Sequence, residues 1–527
     1  MATISYKQTG YFSKIVLDYL SQKEQIQDFY GLFPNLDEFK NQIDTKSNFL
    51  LSKRETLVKT LKAQYQDLKT SDKTKENIQL LLDKNTFTIT TGHQLNLFTG
   101  PLYFLYKIIS TINLCEELKA KYSNQNFVPV YWMATEDHDF EEIQYFNFKD
   151  KKVKWNSESS GAVGRLSTKG LDDVFEEIIK IFGTSLNAKK LILLFKNSYL
   201  EHNNLTDATR FLTNELFTDY GLVILDADDV DLKHSFSSVI KDELLNQTSH
   251  KEVSKTNKLF SKNYKIQVNP REINLFYLTH EFRERIILKN NVYKVHNTEI
   301  QFSKKEILTE LETNPERFSP NVIMRPLYQE FILPNICYIG GGGELAYWLE
   351  LKAYFEKVEV EFPILLLRNS VLLMSQKQNQ KLNKLHISKE ELFLEQINLA
   401  NKKVKEASNL KLDFTEQKEF LIKQFDNLKT IAKKTDKSFI GAVKAQEKKQ
   451  LNGLNNLEKR LLKAEKRKLI DIVNRITIIQ DELFPKQSLQ ERHLNFSEMY
   501  LEFGDQLIPL LKENLKPLDL DFSILIM

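Results

Sequence analysis

Cysteine is scarce. The chain holds two in 527 residues, Cys115 and Cys337, both within apolar stretches and neither in metal-ligand spacing. That excludes a cysteine-held metal centre and fits a reducing compartment, where thiols pack as small hydrophobes. An excess of charge of one sign is also missing. Lys and Arg total 74 against 71 Asp and Glu, a net charge of +3 spread through the chain, which gives no electrostatic case for a nucleic-acid partner. No apolar run reaches membrane-spanning length, and "MATISYKQTGYFSKIVLDYL" lacks a basic start followed by an apolar signal core. The expectation is a cytoplasmic protein without a membrane partner. Sixteen glycines and twelve prolines are no extreme content; with 41% hydrophobic and 28% charged residues the composition is that of a globular protein. Its length exceeds one ordinary core and predicts two or three structural units.

The first eighty residues read as helices, Leu57, Leu61, Tyr65 and Leu68 giving one apolar face. "NTFTIT" then alternates and is rich in β-branched residues, as a strand should be. After the turn "TGHQ", Pro101 suits the first position of a helix whose apolar face is Leu102, Leu105, Ile109 and Ile112. "FVPVYWMA" (127–134) is a continuous apolar run of the kind buried in a parallel sheet, completing a βαβ unit. "GLVILDADD" (221–229), "NICYIGG" (335–341) and "FPILLLRNS" (362–370) predict further strands of that sheet, separated by long insertions. From about residue 380 the composition shifts to Lys, Gln, Glu, Asn and Leu. Leu421, Phe425, Leu428 and Ile431 or Ala432 run on heptad spacing, resumed by Phe439 and Val443, and Gly453 marks a candidate bend of an antiparallel helical hairpin.

Three strand-to-helix turns carry the candidate chemistry. Gly92 permits a tight turn that puts His93 and Gln94 above the C-terminal edge of the sheet, where open α/β sheets bind ligands. At the next strand end, Glu136, Asp137, His138 and Asp139 crowd three carboxylates and an imidazole into four residues. Such crowding predicts a shared cation, amine or proton, so a metal site, an acid/base pair and an ammonium pocket all stand open. In the third turn, Gly340, Gly341, Gly342 and Gly343 allow backbone amides to approach a ligand, and Glu344 opens the helix. The spacing is neither a Walker nor a Rossmann fingerprint, and Glu344 suits a bound amine at least as well as a phosphate. Tyr347 and Trp348 follow on that helix. Arg325 and Arg368, the latter with Asn369, flank strand candidates and could pair with carboxylate or phosphate.

"TGHQLNLFTGPLYFLYKI", "VPVYWMATEDHDFEE", "GLVILDADD", "RPLYQEFILPNICYIGGGGELAYWLEL", "FPILLLRNS" and the late "LQER" occur in this order, and with them the chain resembles the BshC family, the cysteine-adding enzymes of bacillithiol biosynthesis. The resemblance implies a Rossmann-like α/β core similar to class I aminoacyl-tRNA synthetase catalytic domains over 1–380. Two insertions would interrupt it, at about 150–215 and 250–320. A coiled-coil arm at 381–481 would pair the chain as a homodimer, and 482–527 would return to the core. It also implies a ligase joining cysteine to the amine of glucosaminyl malate. Asp137, His138 and Glu344 would then be catalytic, and the other turn residues would bind substrate or nucleotide. Many members read Gln where this chain has His93, so that side chain is expected to bind or orient rather than act as an essential base. Amide formation from a free carboxylate is uphill in water, so ATP is the suspected activator, with no metal beyond a Mg accompanying it. The synthetase-type His-x-Gly-His pattern is absent. Two other readings are a metal-dependent hydrolase or transferase on residues 136–139 and a non-catalytic coiled-coil interaction protein.

Overall fold

The computed structural model describes residues 2–149, 151–157 and 160–527. Its centre is a five-stranded sheet of β1 (Thr86–His93), β2 (Asn126–Met133), β3 (Val223–Asp226), β4 (Asn335–Gly340) and β5 (Ile364–Leu367). The spatial order is β5-β4-β1-β2-β3, and every pairing is parallel. Each apolar run expected to be a strand of this sheet is one. The chain moves outward from β1 through β2 to β3, then crosses back to place β4 on the other side of β1. That reversal opens a crevice at the C-terminal ends of β1 and β4, the point where ligands enter Rossmann-like sheets.

β1 is buried along its whole length and still carries threonines. They are tolerated because their hydroxyls are satisfied: Thr88 and Thr90, two residues apart on one face, both donate to Asn335 Oδ1, and Thr91 donates to the Ile339 carbonyl. Helix α1 (Tyr103–Lys121) starts two residues after Pro101 and makes the crossover to β2, burying Leu105, Ile109 and Ile112 as the spacing requires. Cys115 on α1 and Cys337 on β4 are free thiols within one apolar cluster.

Between β2 and β3 lie a small hairpin and the helices Leu171–Phe182, Leu186–Tyr199 and Leu205–Phe217. This insertion is pressed onto the end of β2 at Gly164, where a Cβ would stand 2.5 Å from Thr206 Oγ1 and 2.7 Å from Thr135 Cβ. Between β3 and β4 an antiparallel sheet forms, in the order Gln301–Phe302, Val292–Val295, Arg283–Lys289, Leu275–Leu278 and Phe318–Pro320. It stands over the crevice. Helix α2 (Gly342–Trp348) follows β4 directly.

After β5, Val371–Met374 pairs parallel with Asp521–Ile526, which pairs antiparallel with Ala2–Ser5. The arm is an antiparallel pair, α3 (Thr415–Ala432) against α4 (Lys437–Lys468), held by Phe425, Ala432 and Val443. Gly453 does not bend it. The turn is 433–436, where the Asp436 side chain caps α4, and Gly453 lies inside α4 with open space around its Cα. The segment "FPKQSLQERHLN" (484–495) returns to the core, where Gln490 and Glu491 are buried. Among the described residues no helix is long and apolar enough to cross a membrane.

Candidate active site

A cavity of about 990 Å³ opens at the crevice between β1 and β4. Its floor is the sheet edge, with Gly92, His93, Gln94 and 135–138; α1 and α2 contribute Lys107, Glu344 and Tyr347, and the antiparallel insertion roofs it.

The first turn supplies a neutral imidazole. His93 ends β1 at 7% exposure, its ring against Tyr103 and Phe104. Burial, reinforced by the Lys107 ammonium, pushes its pKa down to about 3, and its buried Nε2 has no hydrogen-bond partner among the described residues. It is an aromatic base that stays unprotonated near neutrality and offers one nitrogen to a ligand. Gln94 Nε2 donates to Asp137 Oδ2 and Glu142 Oε2, both at 2.9 Å, tying the first turn to the second.

In the second turn the four clustered residues go separate ways. Glu136 is buried and pairs with Lys233, which also reaches Asp228 Oδ1 at 2.9 Å. Asp228 in turn receives Arg165 through two hydrogen bonds of 2.8 and 3.0 Å, so the motif "DADD" anchors the first insertion and the floor together. Asp137 faces the cavity. Its Oδ1 accepts from the His138 backbone N–H at 2.7 Å. His138 Nδ1 lies 2.9 Å from Arg283 Nη1, which can only donate, so the proton of a neutral ring is on Nε2. Burial and the Arg283 charge hold the His138 pKa below its usual value. Asp139 caps the short helix Phe140–Ile143 and is not part of the cavity wall. Residues 136–139 therefore do not converge on a common point, which removes the geometric basis for a metal site built on them.

The third turn is closed by its own carboxylate. Glu344 Oε2 accepts the Gly341 N–H at 2.8 Å and pairs with Lys107 Nζ at 2.5 Å, while Oε1 accepts the Tyr338 hydroxyl at 2.6 Å. Burial alone would raise its pKa; Lys107 and these donors outweigh it and hold the carboxyl below its usual value. Lys107 Nζ also donates to the Gly92 carbonyl at 2.7 Å, so one buried ammonium joins the first and third turns. Two of the four glycines have packing reasons. A Cβ on Gly340 would meet Glu344 Cβ, Leu345 Cδ1 and Tyr338 Cε1 at 3.0 Å, and one on Gly342 would meet Val16 at 3.1 Å. The Gly341 amide is spent on Glu344, and 340–343 do not line the cavity.

Arg325 reaches the cavity beside Gly92 and donates to the Tyr347 hydroxyl at 2.7 Å. Trp348 does not reach it: at 0% exposure it stacks on Tyr338 in the core, ring centroids 4.4 Å apart. Arg368 and Asn369 lie behind the floor. Arg368 Nη2 donates to buried Glu491 Oε1 at 2.8 Å, and Asn369 bonds Ser110 and the Lys516 carbonyl. They lock the returning C-terminal segment and are not cavity ligands.

Residues 1–369 match the family model described as "Bacillithiol biosynthesis BshC, N-terminal Rossmann-like domain", and 371–527 match "Bacillithiol biosynthesis BshC, C-terminal coiled-coil domain". The chain belongs to the BshC family. Relatives carrying the name cysteine ligase BshC from Flavobacterium johnsoniae, Christiangramia forsetii and Cytophaga hutchinsonii are 60%, 57% and 39% identical. The matches cover 99%, 99% and 98% of this chain and 99%, 98% and 96% of theirs. A solved structure from Campylobacter jejuni titled as an arginyl-tRNA synthetase is 10% identical over 85% of this chain and 98% of its own, with a TM-score of 0.23, too slight a likeness to transfer any feature.

In this BshC chain, sequence reading missed Lys107, Lys233, Tyr338 and Arg283. Lys107 alone left a trace, as a lysine inside the apolar helix run "PLYFLYKII". Lys233 and Arg283 sit in polar stretches indistinguishable from solvated surface. They reach the cavity residues Glu136 and His138 only across roughly a hundred residues or more of sequence.

Proposed function

We propose that this chain is a ligase that joins the carboxyl of cysteine to the amine of glucosaminyl malate, forming the amide of bacillithiol. The observation that carries the reading is the position of Asp137 at the crevice, cavity-facing and oriented by Gln94 rather than neutralised by a lysine or arginine. An amine seated there donates to Asp137. As its nitrogen bonds to the activated acyl carbon and the leaving group departs, the ammonium proton passes to this carboxylate. His138 Nε2–H is placed to donate and His93 Nε2 to accept, so both orient the reactants. Glu344, already saturated with donors, holds Lys107 and the turn in place. Most of the rate would come from positioning, which contributes roughly 7–11 kcal/mol in the best intramolecular cases.

The cysteine carboxylate must arrive activated, and ATP is the proposed donor. Its phosphates find no cradle at the glycine turn, where the Gly341 amide is used by the Glu344 carboxylate and residues 340–343 do not line the cavity. Two buried free thiols suit a reducing cytoplasm. The arm is proposed to carry a second copy of the chain, since Phe420, Ile431, Phe439 and Leu457 are 70%, 58%, 45% and 53% exposed.

Purified protein with cysteine, glucosaminyl malate and ATP is expected to yield the amide, read by mass spectrometry. No product, or equal product without any activated donor, would overturn the proposal.

A further inference from the structure

The cavity has two chemistries. Its floor offers carboxylates and neutral imidazoles, whereas its roof, the antiparallel insertion, lines it with arginines, Arg271, Arg283 and Arg285, against one carboxylate, Glu284. Arg285 is paired with Phe276 in the insertion sheet, and its carbonyl accepts the His296 N–H at 2.9 Å. The register Ile286↔Val295 sets His296 directly across from Arg285. Residues two apart on a strand share a face, so Arg283, Arg285, Phe276 and His296 all point to one side of this sheet, and all line the cavity.

The arginines that line the cavity from this insertion, Arg271 in the segment before Leu275–Leu278 and the two on this face, are not equivalent. Arg283 is committed: it bonds Ser319 Oγ, the Pro320 carbonyl and His138, and its guanidinium lies 4.0 Å from the Phe276 ring centre. Arg285 and Arg271 are not. Both line the cavity, and neither guanidinium has a hydrogen-bond or ion-pair partner among the described residues. Two unengaged guanidiniums lining one cavity match a pair of carboxylates in charge and in fork geometry.

We infer that Arg271 and Arg285 form the subsite for a dicarboxylate, the malyl end of the amino-sugar substrate, with His296 beside them. The inference rests on the function proposed above and extends it. The substrate spans the cavity, with its amine at Asp137 on the floor and its two carboxylates on the roof. The roof thus selects a substrate carrying the dicarboxylate over the bare amino sugar, and Arg325 at the floor is left for the other reactant.

The test uses the full-length protein and L-malate alone, by titration calorimetry, so it needs no turnover. Wild type should bind malate and bind the monocarboxylate L-lactate more weakly. Arg271→Gln and Arg285→Gln should each weaken malate binding about tenfold or more, as loss of a charge-assisted bond does. The double variant should abolish it, Arg285→Lys should restore part of it, and Lys305→Gln, on an exposed helix of the same insertion, should leave it unchanged. Thermal melts matching wild type exclude unfolding as the cause. In turnover, the two Gln variants should raise KM for glucosaminyl malate with kcat retained. Absence of malate binding by wild type, or undiminished binding by the double variant, overturns the inference. If wild type binds malate through these arginines yet makes no amide, the proposed reaction fails while the subsite stands.

Discussion

Lys107 Nζ and Glu344 Oε2 stand 2.5 Å apart beneath the crevice, the lysine 4% and the glutamate 25% exposed at the side chain. The pair bridges the two turns that flank the switch point, because the same ammonium holds the Gly92 carbonyl. Breaking a buried pair from one side leaves a charge without compensation. Lys107→Met is expected to cost about 3–5 kcal/mol of stability, and Lys107→Met/Glu344→Gln to recover much of it. Denaturant unfolding of the two variants measures the difference. The Glu344 carboxyl is held below its unfolded value, so its stabilisation is complete above the unfolded pKa and disappears as pH falls through the lower folded one. Glu344→Gln should remove that component of the acid limb.

His93 gives the clearest pH dependence. Its folded pKa is about 3 against an ordinary 6.5, so the unfolded chain binds the proton first. Stability therefore rises with pH between these values and falls as solution is acidified below about 6.5, by up to roughly 4–5 kcal/mol at the lower end. His93→Gln should flatten this part of the stability curve, followed by urea midpoints from pH 4 to 7. If His93 only accepts a hydrogen bond, the same variant retains kcat within several-fold; a loss beyond a hundredfold would make it a base.

The glycine turn separates into constrained and free positions. Gly340→Ala places a methyl 3.0 Å from three side-chain carbons and is expected to destabilise by about 1–3 kcal/mol and to impair turnover by displacing Glu344. A methyl on Gly343, in the first turn of α2, would meet nothing within 4 Å. Gly343→Ala should be neutral or stabilising by up to about 1 kcal/mol. Melting temperatures and kcat of the two variants, side by side, check the contrast.

For the arm, Phe420→Ser with Ile431→Ser should shift the protein from dimer to monomer in sedimentation equilibrium while leaving the thermal melt of the core unchanged. A wild type that sediments as a monomer would refute pairing through this surface.

The sheet was legible because buried parallel strands are written as unbroken apolar runs, and because the ends of β1 and β4 carry the small residues a tight turn needs. The three turns were found for that reason, and so was their meeting above one edge. What the runs could not show was how each turn is filled. Glu344 looked like a free carboxylate until Lys107, two hundred residues earlier, came to rest on it. Arg368 and Asn369 occupy a strand end as ligands do, but Glu491 and the Lys516 carbonyl return from the far end of the chain to take them. The cationic roof was invisible. "FRERIILK" reads like any exposed strand, and only antiparallel register sets Arg285 against His296. Gly453 misled because a glycine in an exposed helix costs only about 1 kcal/mol, which a 32-residue helix absorbs.

The strand Asp521–Ile526 lies between Ala2–Ser5 and Val371–Met374, so residues at opposite ends of the sequence are neighbours in one sheet. These pairings close a loop of about five hundred residues. Arg368, behind the cavity floor, depends on the same returning segment, which supplies Glu491. On refolding from denaturant, the Rossmann-like core is expected to collapse before these distant contacts are made. Contacts of this sequence separation form slowly. A refolding molecule is therefore expected to pass through a period when it is largely structured and not yet competent.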